Sequence, residues 1–174
     1  MVIAVFVFGS MYPQYWQAAF KQLGQFYKHD DEFMTAASSV ALVGNMGFRL
    51  LTGIFIDRYG YKLVALSFSV VAILCALFFS SVARSELFYA LWLFLAQCLF
   101  AANMVSASVV ALRIFGPETG TQIFPFVQGA IAISNMLLTA IVLNLQDSIG
   151  YQGMLNLMAV SSIISLFFIA ALKD

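Results

Sequence analysis

The run Leu63-Val64-Ala65-Leu66-Ser67-Phe68-Ser69-Val70-Val71-Ala72-Ile73-Leu74-Cys75-Ala76-Leu77-Phe78-Phe79-Ser80-Ser81-Val82 decides the fold class. It carries no charge, and its only polar side chains are serines. Twenty residues of helix at about 1.5 Å each span about 30 Å, the thickness of a bilayer's hydrocarbon core. Apolar runs of similar length recur on both sides, at positions 2–27, 33–56, 63–82, 87–115, 121–145 and 154–172. They are continuously apolar and too long to be barrel strands. The expectation is an all-α, polytopic membrane protein of six transmembrane helices forming one bundle over 1–174. The loops are short, so sequential helices must be antiparallel neighbours.

Composition points the same way. The chain is 63% hydrophobic and only 9% charged, with mean hydropathy +0.95, whereas an ordinary soluble domain is about 25% charged. Six spans use up the length, so no soluble domain remains. The zero net charge leaves no basic face for nucleic acid. Cys75 and Cys98 sit inside apolar runs and read as buried thiols. His29 lies in the polar stretch Lys28-His29-Asp30-Asp31-Glu32, read as a wet loop, far from both cysteines. The residues offer no metal cluster, no phosphate-binding glycine loop and no cofactor motif, and nothing in them supports an enzyme. The apolar start, 1–8, lacks a basic flank and a cleavage site, and reads as part of the first span.

Between the second and third spans stands Gly53-Ile54-Phe55-Ile56-Asp57-Arg58-Tyr59-Gly60-Tyr61-Lys62. Gly53 lets another helix backbone approach closely. Asp57, at the membrane edge, suits the positive N-terminal end of a neighbouring helix. Arg58 and Lys62 suit an anionic cytoplasmic leaflet, and Gly60 allows a tight turn. The Lys and Arg count by loop side is nearly balanced: Arg58, Lys62, Arg113 and Lys173 against Lys21, Lys28 and Arg84.

The decapeptide resembles the signature loop of the major facilitator superfamily of secondary transporters, which follows the second helix of each six-helix half. The resemblance runs over the whole chain and fits the C-terminal half better. Asn45 to Gly53, with an arginine ahead of the loop glycine, is similar to the eighth helix of the oxalate/formate-antiporter and monocarboxylate-transporter branches. Phe115-Gly116 and Phe124-Pro125-Phe126-Val127-Gln128-Gly129 resemble the stretch leading through their eleventh helix. Oxalate transporters carry a lysine where Gln128 stands, and this departure argues against a doubly charged substrate. The resemblance implies that the Gly53–Lys62 loop is a gating latch comprising Gly53, Asp57, Arg58, Gly60 and Lys62. It also implies a cytoplasmic position for that loop and for the C-terminus, and a second six-helix bundle as partner: the chain's own N-terminal half, a second copy or a separate chain.

Arg49 is the only charge deep inside a span, eight residues before Asp57 and so about 12 Å from the membrane edge. A mid-membrane arginine costs on the order of 3 kcal/mol on insertion scales. Ala41, Asn45, Arg49, Gly53 and Asp57 form a small or polar stripe, while Met46, Leu50 and Ile54 lie on another face. Two readings stand: Arg49 binds a carboxylate in a water-filled cavity, or it braces the gate. On the fifth span Thr121, Pro125, Gln128, Ala132, Asn135 and Thr139 make a second stripe, which lines the same cavity or glues helices together. Tyr12 and Tyr15, near Pro13, form an aromatic wall in one reading and an interfacial belt in the other. The expected function is secondary active transport of a small, monocarboxylate-like organic anion by alternating access. Arg49 and Asn45 would hold it, with Gln128, Asn135, Tyr12 and Tyr15 around it. The alternatives are a non-transporting half-transporter serving as a structural subunit, and a truncated fragment.

Overall fold

The computed structural model describes residues 1–172, apart from the side chain of Ile114. Its elements are α1 (Val2–Gly9), α2 (Met11–Phe26), α3 (Asp31–Tyr59), α4 (Tyr61–Val82) and α5 (Glu86–Ala170); no strand occurs among the described residues. Four stretches are long and apolar enough to cross a membrane: Asp31–Tyr59, Tyr61–Val82, Glu86–Arg113 and Phe115–Ala170. By length and composition, then, this is a helical, integral membrane protein.

The expected first helix, 2–27, divides into α1 and α2 at Ser10. Pro13 explains the division: it lacks an N–H, and its ring crowds the carbonyl four residues back, that of Gly9. The expected spans 33–56 and 63–82 are found inside α3 and α4, which meet at Gly60. Gly60 has φ +83°, a conformation that favours glycine, and so performs the turn foreseen for it. The expected spans 87–115, 121–145 and 154–172 fall mainly within α5, and the intervening loops shrink to single non-helical residues, Gly116 (φ +77°) and Gly150 (φ +67°). Pro117 follows Gly116 at the first position of the renewed helix, where a missing N–H costs nothing. We refer to 86–115, 117–149 and 151–170 as the first, second and third arms of α5.

The arms alternate in direction. At Gly120 a Cβ would lie 2.6 Å from the Ala111 carbonyl oxygen. Nine residues of straight helix would separate these positions by about 13 Å, so the chain doubles back at Gly116. Contacts with α1 and α2 complete the pattern. Ser165 Oγ donates to Val5 O and Ser161 Oγ to Phe8 O, while Phe26 packs on Tyr151, so the third arm runs antiparallel to α1 and α2. The first arm does likewise through Asn103 with Gly9 O and Tyr89 with Phe20 O. The second arm runs parallel to them, from the Gln14–Ile131 pair to the Gln22–Gln146 pair.

The core is built from small residues and aromatics. Ala41, Ala76, Ala101, Ala107, Ala111 and Ala130 are fully buried, as are Phe6, Trp16, Phe79 and Tyr89. The large aliphatics Leu42, Val43, Met46, Leu50 and Ile54 face outward. Lipid is as apolar as leucine, so such a bundle gains by close packing of small side chains rather than by hiding large ones. Cys75 and Cys98 are free and buried.

Candidate functional site

A four-residue step along a helix turns the face by about 40°, and the α3 stripe shows the result. Ala41 and Asn45 are buried, Gly53 is half-buried, and Arg49 and Asp57 are exposed. Asn45 Nδ2 donates to the main-chain oxygen of Gln97 at 3.0 Å and to its side-chain Oε1 at 3.1 Å. Arg49 Nε donates to Asn45 Oδ1 at 3.2 Å. Gln17 Nε2 reaches the same Gln97 Oε1 at 3.4 Å. One hydrogen-bonded track, Arg49–Asn45–Gln97–Gln17, thus crosses from α3 over the first arm to α2. Among the described residues no carboxylate pairs with Arg49, and its two terminal guanidinium nitrogens have no partner.

The track ends at an open concavity of about 500 Å³. Gln14, Gln17, Gln128 and Asn135 supply its polar lining, and Phe100 and Met104 its apolar floor. Gln128 and Asn135 are brought together there, while Arg49 is exposed and is not among the lining residues, and the backbone of the second arm stays helical through Pro125. Gln14 is 7% exposed and anchored by Nε2 on the Ile131 carbonyl at 3.0 Å. Gln14 escaped the sequence reading. The available signal was the spacing Gln14, Gln17, Lys21, a polar edge on an aromatic helix.

Tyr12 and Tyr15 are placed elsewhere. Both are fully buried beside Trp16 and neither lines the concavity. Trp16 packs on Phe79 of α4 and Tyr89 of the first arm.

The loop residues tie helix ends together within the bundle. Asp57 pairs with Arg113 Nη2 at 2.7 Å, and Arg113 Nη1 also donates to Ile56 O at 3.3 Å. Asp57 thus has as partner a cation near the C-terminal end of the first arm, where positive charge also complements the helix dipole. Lys62 Nζ donates to Leu172 O at 2.7 Å, at the end of the third arm. Arg58 lies over the Tyr59 ring. A Cβ on Gly53 would meet nothing within 4 Å, so the close approach expected there does not come from the described residues. Gly47 and Gly129 are equally open. Lys173, counted for orientation, lies outside the described residues.

At the opposite end His29 is 8% exposed rather than wet. Its Nε2 bonds the Ala83 carbonyl at 2.7 Å, and its ring packs on Tyr89 and Phe33. No known protein family, curated protein or solved structure matches the chain.

Proposed function

We propose that this chain is one six-helix half of a secondary transporter of the major facilitator type, carrying a small monocarboxylate-like anion by alternating access. The observation that carries the reading is Arg49. A guanidinium on an apolar helix, tethered by one nitrogen to Asn45 and without a carboxylate partner among the described residues, leaves its planar fork free for a carboxylate. Asn45, Gln97 and Gln17 orient it and connect it to the concavity that holds Gln128 and Asn135. The alternating direction of the arms supports six crossings, with α1 and α2 together making the first.

A second bundle is part of the proposal. Gly47 and Gly53 on α3 and Gly129 on the second arm are open in this chain, and glycine at a membrane-helix surface gives room for another helix. The Gly60 loop then acts as the gate, with the Asp57–Arg113 and Lys62–Leu172 contacts holding it in the state described.

The test is equilibrium binding of labelled small monocarboxylates to the purified chain, with uptake measured in cells that express it. Arg49→Gln should weaken binding roughly 10- to 150-fold, the worth of a hydrogen bond to a charged group, and Arg49→Lys should restore part of it. Binding indifferent to both substitutions, in folded protein, overturns the reading.

A further inference from the structure

A second, smaller cavity of about 30 Å³ lies inside the bundle, away from the concavity, where α1, α4 and the first and third arms converge on the break at Ser10. Its polar wall is Ser69, Asn103, Ser106, Ser162 and Ser165, and Gly9 also faces it. The proton bookkeeping in this wall is one-sided. Ser69 Oγ donates to Ala65 O at 3.0 Å, Ser162 Oγ to Met158 O at 3.0 Å and Ser165 Oγ to Val5 O at 3.1 Å. Asn103 Nδ2 donates to Leu99 O at 3.1 Å and to Gly9 O at 3.3 Å. Each of these side chains has directed donors at main-chain carbonyls, which leaves oxygen lone pairs as what it can offer the cavity.

Two further observations point to a ligand. Ser106 is 5% exposed, lines the cavity and has no hydrogen-bond partner among the described residues. The cavity is where that hydroxyl can find a partner, and a polar species seated there would meet it. Gly9 O has lost its helical partner, because residue 13 is proline, and receives only the long bond from Asn103. Carbonyls freed at a broken membrane helix, beside neutral side-chain oxygens, are the ligand set of a monovalent cation. Among the described residues no carboxylate, lysine or arginine lines the cavity, which disfavours a divalent ion, since those bind through carboxylates. The volume holds one or two water-sized species.

We propose that this cavity is a sodium-sized monovalent cation site, with Ser69, Asn103, Ser106, Ser162 and Ser165 supplying oxygen ligands. The proposal stands apart from the anion site: it shares none of the anion site's side chains, and its test uses no organic anion.

The experiment is thermal unfolding of the purified full chain in detergent, titrated with NaCl at constant ionic strength against choline chloride. At a Na⁺ concentration ten times the dissociation constant, linkage predicts a Tm rise of about 3–6 °C, saturating with Na⁺. Ser106→Ala should shift the half-saturating Na⁺ concentration at least 10-fold upward. Ser69→Ala, from a different helix, should do the same and guards against a folding defect in the first variant. Equal melting in both salts overturns the proposal and leaves an ordinary buried water in the cavity. A Na⁺ shift that both variants retain unchanged also overturns it, because the ion then binds elsewhere.

Discussion

The two ends of the bundle are closed by different physics. At the Gly60 end the ties are Asp57–Arg113, whose side chains are 75% and 46% exposed, and Lys62 on the Leu172 carbonyl. At the His29 end, Trp16, Tyr27, His29, Phe33, Phe79 and Tyr89 form an interlocked aromatic cluster, with Trp16 meeting Phe79 edge-on at 4.7 Å. Exposed charge pairs contribute little and exchange readily with water. Buried rings are held by large contact areas and edge-to-face geometry, and do not let go piecemeal. One end is thus made of exchangeable contacts and the other of permanent ones. In the proposed carrier, the opening contacts would sit at the first end and the structural anchor at the second.

That contrast can be broken or sharpened by substitution. Trp16→Ala should have the largest effect, destabilising the fold by about 3–5 kcal/mol as a buried aromatic leaves a cavity, read as a drop in detergent melting temperature. His29→Ala should cost about 1–3 kcal/mol, since the Ala83 carbonyl loses its partner along with the ring contacts. His29→Phe should recover the packing share alone, so its melting point should lie between those of Ala and wild type. Asp57→Asn should cost about 1 kcal/mol or less. It should instead raise the accessibility of a cysteine introduced at Ile56, fully buried under the Asp57–Arg113 tie, to a water-soluble thiol reagent. An Asp57→Asn effect on melting as large as that of Trp16→Ala would erase the proposed division of labour.

Several parts of this arrangement were legible in the residues. The uncharged run 63–82 imposes a helix of bilayer length. Gly60 and Gly116-Pro117 mark turns because a positive φ and a missing N–H leave few other conformations. The polar stripe on α3 marked Arg49 and Asn45, and the spacing of Gln128 and Asn135 put both on one face. The division of the first span at Ser10, ahead of Pro13, was not foreseen, since 2–27 read as one helix.

What the residues alone did not decide is which side of each helix faces inward. In a soluble bundle hydropathy answers this, because water rejects the apolar face. In a membrane both the core and the surroundings are apolar, so periodicity loses its sign. Hence Tyr12 and Tyr15 became core rather than cavity wall, His29 became buried rather than wet, and Asp57 took Arg113 as its partner. Sequence by itself determined an apolar helical chain with one guanidinium out of place. Only the tertiary packing joined that guanidinium through Asn45, Gln97 and Gln17 to a concavity, because hydrogen bonds between residues 80 positions apart depend on how the helices are arranged.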